Sequence, residues 1–167
     1  ALYAKQDTQL LPLIQGAPQE FVKRAGTENT LGIVGMATAM QLCTQEVHTQ
    51  IKQDTHFKHQ ILDAINHQIS DYWINGSTEH SVANTLNLSF PSIDGTSLAM
   101  KLDLHQIGIA TGSACSTGSI DPSPILQTLY QNPQRIQGAI RISWGRFTTE
   151  KDINTLISTL PKLVKTS

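Results

Sequence analysis

The second half of the sequence predicts an α+β domain, in which antiparallel strands form a sheet and helices pack on one side of it. Residues 84–90 and 139–144 alternate polar and apolar side chains, as half-buried strands do. Residues 148–160 instead space their apolar side chains along one face of a helix. Short alternating strands interspersed with helices are typical of the α+β class.

The first part of the chain predicts extended segments, a loop and then a long helix. Residues 1–4 and 10–14 are apolar enough for strands, whereas residues 15–26 carry the glycines, proline and polar side chains of a loop. From residue 29 to about Ile69, apolar side chains recur at helical spacing. We expect Gly32 and Gly35 to allow close packing of this helix.

Cysteine and histidine residues lie within this helical region. Residues 29–47 are mostly apolar, which predicts a largely buried helix with Cys43 as a core thiol. His56 and His59 are three residues apart, but no carboxylate completes a set of metal ligands. A solvated helix face explains these histidines better, so we predict no metal site.

The remaining elements follow at short intervals. The sequence predicts a strand at 71–74, a helix at 94–104, a strand at 107–110, a helix at 125–130 and a last helix from 148. Asn75-Gly76 is a turn dipeptide, and residues 131–133 contain a proline that should break the helix before them.

Composition limits the class of protein. The 167 residues carry a formal net charge of -1, which argues against a nucleic-acid surface. No apolar run approaches the roughly eighteen residues of a membrane span, and no charged-then-apolar leader begins the chain. The two cysteines form no C-x-x-C pair, which argues against a disulfide scaffold or a zinc site. We therefore expect a cytoplasmic protein.

Cys115 lies among small residues in the segment 110–119. Gly112 and Gly118 flank it and permit positive φ values. The segment follows an apolar strand and precedes the helix-opening turn at residues 121–124, so the thiol should stand on a loop between rigid elements, as reactive groups often do. A flexible connector with an incidental thiol explains the composition equally well.

Arg141 and Thr27 are candidate binding residues. Ile140 and Ile142 face one side of their strand, so Arg141 points to the other, where a planar guanidinium suits a carboxylate. A surface arginine paired with an acid is the alternative, and Arg146 could bind a carboxylate less rigidly. Thr27 lies where a polar loop enters a helix, which predicts either an anion site or a plain helix cap.

Three segments resemble signatures of the NifS/IscS-type cysteine desulfurases, which are pyridoxal-phosphate enzymes of the class V aminotransferase group. The segments are RAGTEN at 24–29, TGSACS at 111–116 and IRISWGRFTTE at 140–150. They occur in the family's order over essentially the whole chain. The long loop around Cys115 is similar to that of the IscS-like subgroup.

The resemblance implies a function for each candidate residue. Cys115 matches the nucleophile that takes sulfur from L-cysteine on pyridoxal 5'-phosphate and becomes a persulfide, leaving L-alanine. Arg141 matches the arginine that holds the substrate carboxylate. Thr27 matches a threonine that reaches the cofactor phosphate of the neighbouring subunit in a homodimer. The sulfur would pass to an acceptor protein of iron-sulfur cluster assembly or tRNA thiolation.

The resemblance also implies a domain organisation. Residues 1–28 match the end of the cofactor-binding large domain, residues 29–69 the linking helices, and residues 70–167 the small C-terminal domain with the cysteine loop. The family's cofactor lysine follows a histidine, whereas Lys58-His59 runs in the opposite order. We therefore expect this lysine to lie outside the chain, and the chain alone to be inactive.

Other functions remain open. A selenocysteine lyase or related class V lyase would use the same scaffold. A non-catalytic sulfur-relay or docking module would use Cys115 to accept persulfide made elsewhere. A cysteine hydrolase would need a histidine near Cys115, and the nearest in sequence, His105, lies on the other side of the predicted strand.

Overall fold

A computed structural model describes residues 1–112 and 123–165. Its elements are α1 (Gln19–Val22), α2 (Thr30–Gln68), β1 (Trp73–Ile74), β2 (Thr85–Ser89), α3 (Gly95–Asp103), β3 (Ala110–Thr111), α4 (Pro124–Leu129), α5 (Pro133–Gln137), β4 (Ala139–Ser143) and α6 (Glu150–Lys165). The chain divides into two compact units, Ala1–Glu46 and Val47–Ser167.

The second unit is organised around an antiparallel sheet. Its four strands, counted over the described residues, lie in the order β1-β2-β4-β3. β2 and β4 form the central pair, with a register that runs from Thr85↔Ser143 to Ser89↔Ala139. β1 pairs with the outer side of β2, and β3 with the outer side of β4. The predicted α+β class is therefore confirmed.

One face of this sheet packs against helices. Leu86 and Leu88 of β2 and Ile140 and Ile142 of β4 are buried in one apolar core. The helical core residues are Phe57, Ile61 and Ile65 of α2, Leu98 and Leu102 of α3, and Ile153, Leu156 and Leu160 of α6. Because α2, α3 and α6 all cover the apolar face, the alternating polar residues of the strands lie on the opposite face.

The long helix predicted from residue 29 is confirmed by α2, but its first half is exposed. Leu31 and Met40 are 87% and 63% exposed, and Cys43 is exposed as well. The prediction of a buried helix with a core thiol is therefore wrong, because apolar spacing shows which face is apolar and not what covers it. Gly32 serves the helix cap: Asn29 Oδ1 accepts a hydrogen bond from its N–H at 3.0 Å.

The start of the chain differs from the sequence prediction. Residues 1–4 and 10–14 form no strand, since neither finds a hydrogen-bonded strand partner within the described ranges. α1 interrupts the predicted loop as a single turn, and residues 20–22 have φ values of 50° to 65°, in the left-handed region. The Ala25 N–H donates to the Ile14 carbonyl at 3.1 Å and closes the loop.

α5 begins at Pro133, the last residue of the segment 131–133 where the sequence predicts a helix break. Asn132 Oδ1 accepts hydrogen bonds from the N–H groups of Gln134 and Arg135 at 3.0 and 3.2 Å, which caps the helix. Pro133 takes the first helical position, where its missing N–H has no intrahelical partner to lose. The proline of the predicted break therefore opens the helix that follows it.

Gly138 lies at a close approach between α5, β4 and the end of β2. A Cβ added there would overlap the Phe90 carbonyl oxygen and lie 3.1 Å from the carbonyl oxygens of Gln134 and Ile93. The φ of Gly138 is -79°, a value that any residue adopts. Glycine is therefore required at this position because a side chain would clash with neighbouring backbone, and not because of the backbone conformation.

We expect Gly138→Ala to destabilise the chain by about 1–3 kcal/mol, the usual cost of overpacking, because the overlapping atoms belong to backbone that cannot move aside. Gly145→Ala is the matched control, since a Cβ at Gly145 meets nothing within 4 Å. Urea unfolding followed by circular dichroism measures both. Equal midpoints for the two variants would contradict this account of the packing.

Candidate functional site

The sheet face opposite the core carries polar side chains from its central strands. Asn87 and Ser89 of β2 lie there together with Arg141 and Ser143 of β4. Asn87 pairs directly with Arg141, and directly opposed residues on antiparallel strands project on the same side, with Cβ atoms about 4.5–5.5 Å apart. A carboxamide and a guanidinium therefore stand side by side on this face.

Arg141 is half-buried at the middle of β4. Its guanidinium makes no hydrogen bond or ion pair with residues 1–112 or 123–165, whereas Arg24 pairs with Glu20 at 3.5 Å. The alternative of an arginine paired with a nearby acid therefore finds no support in the described part of the chain. Arg146 lies past the strand, with its guanidinium 5.8 Å from the Phe147 ring centroid.

The strand that precedes Cys115 in the sequence, β3, lies next to Arg141. Ala110 of β3 is the other cross-strand partner of Arg141, and Gly112 follows with a φ of 62°, in the left-handed region that glycine permits. The described chain resumes at Ser123, which is buried and caps α4 by accepting a hydrogen bond from the Leu126 N–H. Cys115 itself lies outside the described residues.

A hydrogen-bonded network that the sequence analysis missed lies on the same face. Asn75 follows β1, and its Nδ2 donates to Asn87 Oδ1 at 2.8 Å and to Ser89 Oγ at 2.6 Å. Its Oδ1 accepts from Arg135 Nε at 2.7 Å. The alternation of β2 could have indicated Asn87 and Ser89. Arg135 gave no signal, because the sequence analysis assigns no element between the break at 131–133 and the strand from 139.

Arg135 is held from several sides. Its Nη2 donates to the Ile74 carbonyl at 2.8 Å, and its guanidinium carbon lies 3.5 Å from the centroid of the Tyr130 ring. This stacking is a cation–π contact. The Tyr130 hydroxyl in turn accepts a hydrogen bond from the Gly76 N–H at 2.9 Å. The end of β1 is thus tied to the segment that joins α4 and α5.

Thr27 lies in a loop of the first unit whose carbonyls are held by Arg24. Arg24 Nη1 donates to the Gly26 and Thr27 carbonyls at 2.6 and 3.1 Å, and the Gly26 N–H donates to Gln19 Oε1 at 3.0 Å. Asn29, and not Thr27, caps α2. The Thr27 side chain is exposed and forms no hydrogen bond within the described ranges, so its hydroxyl is available to a ligand.

The described residues fit only part of a pyridoxal-phosphate site. The exposed Thr27 hydroxyl can donate to a phosphate. No described lysine follows a histidine, and Lys58 is only 4% exposed. Lys58 Nζ donates to Ser81 Oγ and to the Val82 carbonyl at 2.9 and 3.0 Å, and burial lowers the pKa of this amine. Its role is to join α2 to the loop before β2.

The described residues provide neither a metal site nor a membrane-spanning helix. His56 and His59 are exposed, and residues 1–112 and 123–165 contain no group of three or more His, Cys, Asp or Glu side chains placed to hold a metal ion. None of the helices described there is long and apolar enough to cross a bilayer.

Comparison with known proteins places the chain in a family. The aminotransferase class-V model matches residues 6–156. The cysteine desulfurase IscS of Dictyoglomus turgidum is 36% identical over 99% of this chain, and that of Clostridium botulinum is 35% identical over 99%. A solved structure named NifS-like protein superposes with a TM-score of 0.84 at 27% identity over 99% of this chain and 42% of its own.

The chain spans only 42% of the length of the two named desulfurases. Nevertheless, the family model covers most of this sequence, and the NifS-like structure shares its fold. The chain therefore belongs to the aminotransferase class-V family.

Proposed function

We propose that the chain is the sulfur-carrying part of a cysteine desulfurase, which converts L-cysteine to L-alanine and leaves a persulfide on Cys115. The observation that carries the proposal is the position of Arg141, which lies between Asn87 and Ala110 and next to the strand that precedes Cys115 in the sequence. Arg141 can then bind the carboxylate of the same substrate molecule whose sulfur Cys115 accepts. The names of the two relatives support this reaction.

Arg141 holds the α-carboxylate of L-cysteine. A guanidinium donates two parallel hydrogen bonds to a carboxylate, and these charge-assisted bonds are strong. The backbone of Arg141 is paired on both sides, with Asn87 and with Ala110. A clamp on a doubly paired strand loses little freedom when it binds, which favours affinity.

Cys115 is the nucleophile. Its thiolate bonds to the sulfur of the substrate, the substrate carbon–sulfur bond breaks, and the electron pair stays with the carbon, which takes a proton to become the methyl group of L-alanine. Pyridoxal 5'-phosphate, the cofactor of this family, supplies the electron sink for that cleavage when it is bound. The outer sulfur of the persulfide then passes to an acceptor protein of iron-sulfur cluster assembly or tRNA thiolation.

Thr27 binds the cofactor phosphate of the neighbouring subunit in a homodimer. Its exposed hydroxyl, free of partners in the described part of the chain, supports this role, as does the clamp of Arg24 on the carbonyls around it. We place the reaction in the cytoplasm, where reducing conditions keep a catalytic thiol available.

A further portion of the enzyme completes the active site. In this organisation residues 1–28 end the cofactor-binding domain, residues 29–69 form the link and residues 70–167 form the small domain. Large apolar side chains of the first unit support it: Leu13, Leu11 and Leu31 are 101%, 95% and 87% exposed. Exposed apolar surface of this kind marks a face that another body covers. The Schiff-base lysine comes from that portion.

The 167-residue chain alone should neither bind pyridoxal phosphate covalently nor consume cysteine, because Lys58 is engaged in the core and no described lysine follows a histidine. Cofactor absorbance and alanine release measure the two properties. Addition of the portion that the relatives contain and this chain lacks should restore both. A yellow, cysteine-consuming preparation of the chain by itself would show that the site is complete without it.

In the complete enzyme, Arg141→Gln should raise the KM for L-cysteine by about 10- to 100-fold, because a hydrogen bond to a charged group contributes about 1.5–3 kcal/mol. Alanine production at varied cysteine concentration measures it. Arg146→Gln tests the less rigid alternative, since Arg146 lies beyond the end of β4, and its KM should rise less than that of Arg141→Gln. Equal KM values for both variants would remove Arg141 from the clamp.

Cys115→Ala should abolish sulfur transfer, because no thiolate remains to take the sulfur. Cys43→Ala is the matched control: Cys43 is the other cysteine of the chain, and it is exposed on α2. Mass spectrometry of the enzyme after reaction with L-cysteine should find one added sulfur on Cys115 and none in Cys115→Ala. Activity of Cys115→Ala toward selenocysteine but not cysteine would instead indicate a lyase.

A further inference from the structure

The network on the polar face determines which end of each carboxamide carries donors. An arginine can only donate, so the Asn75 atom 2.7 Å from Arg135 Nε is its oxygen. The Asn75 nitrogen therefore faces β2, and its two hydrogens go to Asn87 Oδ1 at 2.8 Å and to Ser89 Oγ at 2.6 Å. A flipped Asn75 would set its donors against those of Arg135.

This arrangement leaves the side-chain nitrogen of Asn87 available to donate hydrogen bonds to a ligand. Its oxygen accepts from Asn75, so Nδ2 lies on the other side of the same planar group. That nitrogen has no acceptor among residues 1–112 and 123–165. Asn87 is half-buried and pairs directly with Arg141. Two adjacent, partly desolvated donors without an acceptor are suited to an anion.

We propose that Asn87 donates a second hydrogen bond to the carboxylate that Arg141 holds, and that Arg135 and Asn75 are positioning residues that keep the donor end of Asn87 toward it. The inference rests on the proposed function of Arg141. A carboxylate offers about four acceptor positions, so a bidentate guanidinium leaves room for a further donor. The ligand class is the α-carboxylate of an amino acid.

The network can act as a positioning device because Arg135 is itself fixed. Its guanidinium is bonded to the Ile74 carbonyl and stacked on Tyr130, and its backbone N–H is capped by Asn132. Reorienting Arg135 would break these contacts together. The orientation of Asn75, and through it that of Asn87, is therefore set before any ligand arrives.

Asn75→Asp tests the proposal because it should turn the side-chain amide of Asn87 around. Both neighbours of residue 75 in the network, Asn87 and Arg135, stay in place. The new carboxylate still accepts from Arg135, but it offers Asn87 an acceptor where a donor stood. Asn87 then turns its nitrogen toward residue 75 and its oxygen toward the ligand. Calorimetry on the complete, cofactor-loaded enzyme should find L-alanine bound about 10-fold more weakly, as expected for one lost hydrogen bond to a charged group.

Binding of L-alaninamide, which has a neutral amide in place of the carboxylate, should be unchanged by Asn75→Asp. A purely structural role for Asn75 would weaken both ligands equally. Such a result would overturn the proposal. Asn87→Asp repeats the test at the residue that pairs with Arg141, since it replaces the proposed donor with an acceptor. If Asn75→Asp does not fold, the same comparison of the two ligands in Asn87→Asp tests the proposal.

Asn66→Asp is the matched control for the added charge. Asn66 Oδ1 accepts from the Tyr72 hydroxyl, so an aspartate there keeps that acceptor and reverses no donor in the network. We expect both ligands to bind this variant as they bind the parent. Repeating the Asn75→Asp titration at about 1 M salt screens long-range repulsion. If the loss disappears there, charge alone explains it and the proposal fails.

Arg141→Gln separates this inference from the function on which it rests. If that variant weakens L-alanine but not L-alaninamide, while Asn75→Asp and Asn87→Asp fold and bind both normally, the clamp stands and the role of Asn87 is overturned. If Arg141→Gln leaves the preference for the carboxylate unchanged, the proposed function itself is overturned.

Discussion

The pairing of β4 with β2 on one side and β3 on the other is the constraint on which the rest of the second unit depends. In this register Ile140 and Ile142 enter the core while Arg141 points to the opposite face. A slip of one residue would exchange these faces. It would bury an unpaired guanidinium, which costs far more than the loss of an apolar contact. The core and the candidate site therefore depend on the same hydrogen bonds.

The polar face presents its donors from the paired central strands of the sheet. Arg141 and Asn87 stand on paired central strands, and Arg135 ties the end of β1 to them through Asn75. The proposed nucleophile, Cys115, comes three residues after Gly112, whose φ of 62° lies in the left-handed region. The proposed reaction makes use of rigid strands, because the substrate must be held still while the sulfur acceptor approaches it.

The first unit has a different physical character. Its loop is organised by local polar contacts, from Arg24 to the Gly26 and Thr27 carbonyls and from Gly26 to Gln19. Its apolar side chains are largely exposed, with Ala25 as the buried exception. A segment with this pattern presents surface to another body more than it encloses a core of its own. That property agrees with a family whose named members are more than twice as long as the stretch matched here.

The sequence by itself determined the elements whose signal is local. The alternation in residues 139–144 showed the side of the strand on which Arg141 lies, and helical spacing located α2, because periodicity is a property of neighbouring residues. Only the tertiary structure decided that Asn75 bonds Arg135, 60 residues away, and that Cys43 is exposed. Such contacts depend on which strands pair and on what covers a helix, and neither is encoded in the spacing of any single segment.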